Sequence, residues 1–388
     1  MAVHGRDRLS ALPDNTLERI LSHLESDEAS RASMLSRRWR RVPDAVPVVD
    51  LVDAKIRPRR RDNKPVCFDQ QVTSAIMSKS PGTPIRVFRL HALHPPRDLL
   101  DQWMVIAASS GAEEVDVSLR YRHYSHRRLC PFGTSANASA DFPAKVRGGY
   151  NHTPRQLFRC GTLRRLRLTN WTLNLPRGGG GGVVAASLET LCLRRIMAPD
   201  GALQQLLSTC PRLADLTLDY ELTAAARSLR HLRQLVLKGF LGADVAVKSV
   251  AILLSNTKNL EALTLYPQGP MPPKKKKEAY YYSDDEEESD SEVEPESCID
   301  DGVDHSWLTN SLWRMSIPCL GRSLKRITIA KYCGHALDRI LAKVLLSKAT
   351  ALQEFSVTLS AQLSPQKVEI AREFRSWRFN RRTTVTCS

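Results

Sequence analysis

The residue types that most often perform catalysis occur in this sequence, but not in any catalytic motif. There is no G-x-S-x-G, H-E-x-x-H or G-x-G-x-x-G pattern, and the glycine run 178–182 lacks the Lys-Ser/Thr pair of a phosphate-binding loop. The nine cysteines form no C-x-x-C pair, and His123, His126 and Cys130 have no fourth metal ligand nearby. We therefore expect no enzyme activity, no metal and no cofactor, and we expect the protein to act by binding.

The charge of the chain is strongly positive and unevenly distributed. Its 57 basic and 41 acidic residues give a formal net charge of +16. Thirteen of the acids lie between Glu278 and Asp304, where Lys and Arg are absent, so 28 acids face 57 bases elsewhere, near +29. Such an excess attracts an acidic partner. We expect an acidic or phosphorylated target protein, and a basic nucleic-acid-binding protein is the alternative.

One pattern, apolar-x-x-apolar-x-apolar, repeats through most of the chain. Seven strong copies read LRRLRL, LETLCL, LADLTL, LRQLVL, LEALTL, LKRITI and LQEFSV, starting at Leu163, Leu188, Leu213, Leu232, Leu260, Leu324 and Leu352. Most starts are 19 to 28 residues apart, which is typical of leucine-rich repeats. The 64-residue interval predicts one repeat with an insertion. Weaker copies start at Ile85 and Ala112, and the interval 112–163 holds either two repeats or one repeat with a long loop.

Amphipathic helical segments separate these copies. They span 99–111, 202–213, 247–260 and 337–352, each with apolar residues three and four positions apart. One strand–helix unit cannot bury its apolar face alone, whereas stacked units share a continuous core. We therefore predict an α/β solenoid, in which a curved leucine-rich-repeat array with parallel strands follows an N-terminal helical module.

The polar residues between the apolar positions predict an exposed face on the strands. Side chains alternate across a strand, so these residues point away from the core. We predict that this face binds the target protein. The candidate residues are Arg165, Arg167, Thr190, Cys192, Asp215, Thr217, Gln234, Val236, Arg326 and Thr328.

The first part of the chain predicts a small helical module. Pro13-Asp14 opens one helix, and Asp27-Glu28 caps a second. A module of this size is marginal alone and has apolar residues to spare, which indicates a partner.

This module resembles a plant F-box. The matching strings are DRLSALPD (7–14), ILSHL (20–24), LSRRW (35–39) and VPVVD (46–50). The blocks at 85–90, 102–117 and 156–173 resemble plant F-box/leucine-rich-repeat proteins, and the segment from Cys319 resembles their FBD segment. The resemblance implies a three-helix F-box and a non-catalytic substrate receptor. Its F-box would bind a Skp-type adaptor, and through it a cullin and a RING subunit, while the repeats present a target for ubiquitination.

The same resemblance implies eight residues for the adaptor interface or the core that supports it. They are Leu12, Pro13, Leu17, Ile20, Leu21, Leu24, Leu35 and Trp39. An F-box scaffold without a role in ubiquitination is an alternative to the ligase receptor.

We divide the chain by pattern and composition. The predicted segments are an F-box (7–51), a connector (52–84), leucine-rich repeats (85–266, with a loop at 120–155), a disordered charged insertion (267–306), FBD-like C-terminal repeats (307–360) and a tail (361–388). No apolar signal-peptide core or membrane-spanning run is found, so we expect the protein in the nucleus, the cytoplasm or both.

Overall fold

A computed structural model describes most of the chain. The described residues are 12–32, 34, 39, 42–54, 56, 67–80, 82–121, 150–176, 185–199, 201–219, 229–240, 244–268 and 305–388. They separate into two compact units. Unit 1 contains the described residues up to Leu218, and unit 2 contains those from Asp219 onward.

Among the described residues, three short helices lie in the N-terminal module of unit 1. They are α1 (Asp14–Leu21), α2 (Ser26–Ala32) and α3 (Val42–Ala45). Their buried core also contains Val48, the first residue of strand β1 (Val48–Val52), and Val87 of the next strand packs against it. The module therefore shares its core with the first strands of the repeats.

The strands of unit 1 lie in chain order and are parallel where their pairing is described. After β1 come β2 (Val87–Leu93), β3 (Glu114–Arg120), β4 (Arg165–Thr169), β5 (Thr190–Arg194) and β6 (Asp215–Asp219). The connecting segments contain α4 (Phe68–Met77), α5 (Arg97–Ser109), a 3-10 helix (Arg155–Arg159) and α6 (Ala202–Ser208).

Unit 2 repeats this arrangement. Its parallel strands are β7 (Gln234–Phe240), β8 (Ala262–Gln268), β9 (Arg326–Tyr332), β10 (Glu354–Leu359) and β11 (Thr384–Cys387). Its helices are α7 (Asp244–Ser255), α8 (Ser306–Arg314), α9 (Pro318–Arg322), α10 (Ala336–Lys348), a 3-10 helix (Ala361–Gln366) and α11 (Lys367–Trp377). None of the described helices is long and apolar enough to span a membrane.

The apolar residues of the repeat pattern form the core, as the pattern predicts. In β4, Leu166 and Leu168 are fully buried, and the strand alternates between exposed and buried positions. Asn170 ends this strand with a left-handed backbone, φ 64°, which Asn tolerates better than most residues. Its Nδ2 donates to the carbonyl of Leu119 on the neighbouring strand, at 2.6 Å, so the side chain also satisfies a buried backbone group.

The structure resolves the two long intervals between copies. Strand β3 pairs directly with β4, so the interval 112–163 is one repeat with a long loop. Strand β8 pairs directly with β9, so the 64-residue interval is one repeat with an insertion, as predicted. The loop residues 122–149, the glycine run and residues 269–304 of the charged insertion lie outside the described residues.

Two repeats appear where the sequence analysis placed none. Strand β1 and helix α4 form a strand–helix unit across the end of the predicted F-box and the predicted connector. Residues 361–388, which we predicted as a tail, contain α11 and β11, and β11 pairs in parallel with β10. The solenoid therefore begins earlier and continues further than the leucine pattern indicates.

Candidate interaction surfaces

The eight candidate adaptor residues divide by burial. Leu17, Leu21 and Trp39 lie in the core of the helical module, at 0%, 1% and 6% exposure. Leu12 and Leu24 are partly buried and pack against the same core. These five residues support the module from within.

The remaining candidates include two on the surface. Pro13 is exposed at the start of α1, and Ile20, seven residues further along, is 38% exposed. Seven residues make almost two helical turns, so Pro13 and Ile20 lie on one side of α1. Leu35 lies outside the described residues. Met34 is 82% exposed and was not a candidate from the sequence, although an exposed large apolar residue in a small module is a common sign of an interface.

Polar contacts also fix the helical module to the first repeat. The backbone N–H of Asp50 donates to Ser26 Oγ at 2.8 Å, which joins β1 to α2. Lys79 Nζ donates to the carbonyl of Val46 at 2.8 Å. Burial lowers the pKa of Lys79 to about 8, and the nearby carboxylate of Asp44 acts in the opposite direction. An ammonium held against a backbone carbonyl in a partly buried position is a specific contact rather than a solvated charge.

The predicted target-binding residues lie on the side of the strands that faces away from the core. Arg165, Arg167, Gln234 and Arg326 are exposed. Thr190, Asp215, Thr217, Val236 and Thr328 are partly exposed. Their side chains are therefore accessible on their respective units, whereas contact with a target stays a prediction.

Cys192 is the exception, since its predicted exposure is wrong. The residue is only 8% exposed, although it alternates with buried positions like the others. Burial raises the pKa of the Cys192 thiol, while the charges of Arg194 and Arg167 nearby act in the opposite direction. Cys192 pairs in register with Arg167, and Arg194 lies two residues further along the same strand.

A chain of ion pairs crosses the strand face of unit 1. Register places Asp50 opposite Arg89, and Arg89 opposite Asp116, on β1, β2 and β3. Arg89 Nη1 is 3.2 Å from Asp50 Oδ2, and its Nε and Nη2 are 2.9 and 2.8 Å from Glu114 Oε1. Glu114 Oε2 accepts a bond from Arg165 Nη1 at 2.9 Å. One carboxylate therefore holds guanidinium groups from two neighbouring strands.

Glu114 is the most buried member of this network, with a side chain only 6% exposed. Burial alone would raise the pKa of Glu114, but its hydrogen bonds to Arg89 and Arg165 outweigh burial and leave the pKa below its ordinary value. For Asp50 the balance is reversed, since burial raises its pKa in spite of the contact with Arg89. Glu114 is thus held in its charged form by the two arginines.

The strand face of unit 2 has a different chemistry. Register aligns Thr264, Thr328, Ser356 and Thr386 in one row across β8 to β11. The hydroxyls of Thr328 and Ser356 are 3.0 Å apart and share a hydrogen bond. Lys238 Nζ lies 4.5 Å from the centre of the Tyr266 ring, a cation–π contact at the end of the neighbouring strands.

Four members of the charged network were not predicted from the sequence. Arg89, Glu114 and Asp116 occupy the same alternating positions as the predicted residues, but in the weaker copies of the repeat, and Asp50 occupies such a position in β1. Applying the alternation rule to those copies, and to VVDLV in β1, identifies all four. What the sequence does not show is which acid pairs with which arginine, because the pairs join strands 25 to 51 residues apart.

The described cysteines, histidines and acids do not form a metal site. In the part of the chain that the structure covers, no three such side chains come close enough to bind a metal ion. The seven described cysteines are free thiols, and five of them are buried. His123, His126 and Cys130 lie outside the described residues.

The parallel strand–helix units and the helical module define a leucine-rich-repeat fold with an N-terminal helical module. Comparison with known families is more specific. Residues 9–49 match the F-box domain, and residues 141–275 match the family described as "FBD-associated F-box protein At5g56370, LRR repeats". The chain therefore carries an F-box and leucine-rich repeats of the FBD-associated F-box type, as its sequence predicted.

The chain is similar to curated proteins from Arabidopsis thaliana that are named for an F-box and leucine-rich repeats. The chain is 30% identical to F-box/FBD/LRR-repeat protein At5g56420 over 55% of its length and 44% of the relative's. It is 28% identical to F-box/FBD/LRR-repeat protein At3g52680, over 56% and 41%. For F-box/LRR-repeat protein At2g42720 the identity is 28%, over 55% and 43%. The chain thus spans less than half the length of these relatives.

Proposed function

We propose that this protein is the substrate-recognition subunit of an SCF-type (Skp–cullin–F-box) E3 ubiquitin ligase. Its F-box would bind a Skp-type adaptor, and its repeats would bind a target protein for ubiquitination and degradation. The protein itself would be a non-catalytic adaptor, because the other subunits supply ubiquitin transfer. The match of residues 9–49 to the F-box domain is the observation that carries this proposal.

The burial pattern of the F-box supports the adaptor contact. Leu17 and Leu21 fill the core, whereas Pro13, Ile20 and Met34 expose apolar surface on a module of about 40 residues. Exposed apolar side chains of this kind gain free energy when a partner removes them from water. We therefore assign the adaptor contact to Pro13, Ile20 and Met34, and assign a supporting role to the buried leucines.

Capture of a purified Skp-type adaptor by the full-length protein tests the proposal. We expect Ile20→Asp to weaken capture about tenfold or more, because a charge would be buried at the contact. The double variant Leu12→Ala/Pro13→Ala should also weaken it. Met77→Asp is the matched control, since Met77 is 73% exposed but lies on α4, outside the F-box match.

The capture results distinguish a ligase receptor from a protein that does not bind the adaptor and from a scaffold. Capture that Ile20→Asp loses and Met77→Asp keeps, with unchanged circular dichroism, supports the adaptor contact. Capture that cannot be detected with the unmodified protein contradicts it. If capture succeeds but the cullin and RING subunits do not co-elute with the complex, the protein is a scaffold without a ligase role. Localisation to the nucleus or cytoplasm remains a prediction.

A further inference from the structure

Arg165 on β4 has hydrogen-bond donors that no described group uses. Its Nη1 donates to Glu114, which fixes the guanidinium plane, and its side chain is still 58% exposed. Its Nε and Nη2 make no hydrogen bond among the described residues. Arg89 differs, because all three of its nitrogens point at Glu114 or Asp50. Arg89 therefore uses all its nitrogens within the network, whereas Arg165 is held in place with donors that no other described residue uses.

Arg167 and Arg194 extend this set of donors. Arg167 alternates with Arg165 on β4, so both project from the same face. Its Nη1 is 3.6 Å from Asp116 Oδ2, too far for a hydrogen bond. Arg194 on β5 is exposed and pairs in register with Thr169, two residues beyond Arg167. Cys192 pairs in register with Arg167, and Arg194 lies two residues further along the same strand, so the two arginines project next to each other from one face.

The spacing of these arginines fits a peptide. Residues two apart on a strand are separated by about 6.6 to 6.8 Å, and neighbouring strands by about 4.8 Å. Alternate side chains of an extended peptide have the same separation of about 6.8 Å. Two carboxylates at alternate positions of such a peptide can therefore reach two of the three guanidinium groups, with bidentate geometry available to each.

We propose that Arg165, Arg167 and Arg194 bind an extended acidic segment of the target protein. The inference rests on the proposed function, and it names the class of target and the part of the strand face that binds it. Glu114 acts as a positioning residue, because it holds Arg165 in a fixed orientation and so reduces the entropy lost on binding.

The same surface is less suited to nucleic acid. Asp116 lies directly opposite Arg167, and Asp215 lies on β6, one strand beyond β5. A continuous phosphate backbone that crosses these strands would meet both carboxylates, whereas a peptide can place neutral residues next to them. Interspersed acids therefore favour a short acidic segment over a polyanion.

Binding of a fluorescein-labelled hexaglutamate peptide to the full-length protein, at about 0.15 M salt, tests the proposal. We expect the triple variant Arg165→Gln/Arg167→Gln/Arg194→Gln to bind about tenfold more weakly or worse. Arg159→Gln should bind like the unmodified protein, because exposed Arg159 lies on a 3-10 helix away from the strands. Hexalysine, and a single-stranded RNA of six nucleotides, serve as comparison ligands.

Each outcome decides the inference. Equal hexaglutamate binding by the triple variant and the unmodified protein overturns it. RNA binding that is tighter than hexaglutamate binding, and that the triple variant loses, also overturns it and assigns the surface to nucleic acid. Adaptor capture is measured on the same preparations. If the triple variant loses hexaglutamate binding and both proteins capture the adaptor, both proposals are supported. If the triple variant loses hexaglutamate binding and neither protein captures the adaptor, the acidic-segment site is kept and the ligase role is rejected.

Discussion

The strand faces of the two units have the same backbone pattern but differ in side-chain chemistry, most clearly in the row that contains Asp116 and Arg167 in unit 1. In unit 1, Glu114 lies between Arg89 and Arg165, and Asp116 lies opposite Arg167. In unit 2, hydroxyl side chains fill the row equivalent to Asp116 and Arg167, while Ala262, Arg326 and Glu354 fill the row equivalent to Glu114 and Arg165. Hydroxyl pairs such as Thr328 and Ser356 satisfy each other at little cost.

The charged face is the more costly arrangement. A carboxylate as buried as Glu114 loses hydration, and only well-placed partners offset that loss. Ala262 begins β8 where Glu114 begins β3, so the fold does not require a buried carboxylate at this position. The ion pairs around Glu114 are therefore not a requirement of the repeat, and unit 1 is where we would look for recognition first.

The largest expected effect comes from removing the central carboxylate. Glu114→Gln leaves Arg89 and Arg165 without their shared anion, and should lower the free energy of unfolding of unit 1 by about 2 kcal/mol. The loss is smaller than for a fully buried pair because both arginines are partly in solvent. Hydrogen exchange resolved by peptide, in increasing urea, reports β2 to β4 separately from β8 to β10. Unchanged protection of β2 to β4 would mean that the network is not structural.

A smaller effect on stability is expected from Asp338 in unit 2, and its dependence on pH is opposite to that of Glu114. Asp338 on α10 is 4% exposed, and burial raises its pKa from 3.8 to about 7. Its contribution to stability is therefore fully present below pH 3.8 and is lost as the pH rises through about 7. Glu114 behaves in the opposite way, because its lowered pKa makes its contribution disappear on acidification.

The variant Asp338→Asn distinguishes the pH dependence caused by Asp338 from that caused by Glu114. At pH 8 we expect it to stabilise unit 2 by about 1 kcal/mol or more and to flatten the dependence on pH between 4 and 7. The measurement is the urea midpoint of unit 2, by hydrogen exchange, across that range. Glu369→Gln, which changes an exposed acid of α11 in the same unit, is the control. A pH profile that both variants share with the unmodified protein would refute the assignment.

The smallest expected effect is at the hydroxyl row. Thr328→Val preserves shape but removes the bond to Ser356, and should cost about 0.5 to 1 kcal/mol. A double-mutant cycle with Ser356→Ala isolates the pair, since the second substitution should then cost little more. A cost as large as that of Glu114→Gln would remove the contrast between the two faces.

Most strands could be predicted from the sequence because their apolar residues keep a fixed spacing. Strand β1 has the same pattern, at Val46, Val49 and Leu51, and was missed only because it overlaps the F-box match. Strand β11 has Arg382 where the first apolar residue belongs, so no pattern indicates it. Buried Thr383 contributes there instead, donating through Oγ1 to the carbonyl of Leu352 at 2.8 Å.

The binding surfaces were less predictable, for a physical reason. Alternation identifies which side of a strand a residue occupies, and it was right for Arg165 and Arg167. It does not give the exposure of a side chain among its neighbours, and Cys192 is only 8% exposed although it alternates with core positions. Burial within the F-box likewise depends on how three helices meet, so Leu17 and Ile20 could not be assigned to core and surface before the structure.

The valines that the F-box shares with the repeats have a geometric consequence. Val46 and Val48 lie in the core of the helical module, and Val87 packs against it. The helical module and the first strands are therefore joined by shared packing rather than by a flexible hinge. In the proposed ligase, a target held on β3 to β5 would therefore stand at a set distance and angle from the adaptor. The shape of the docked target would then determine which of its lysines lie close enough to receive ubiquitin.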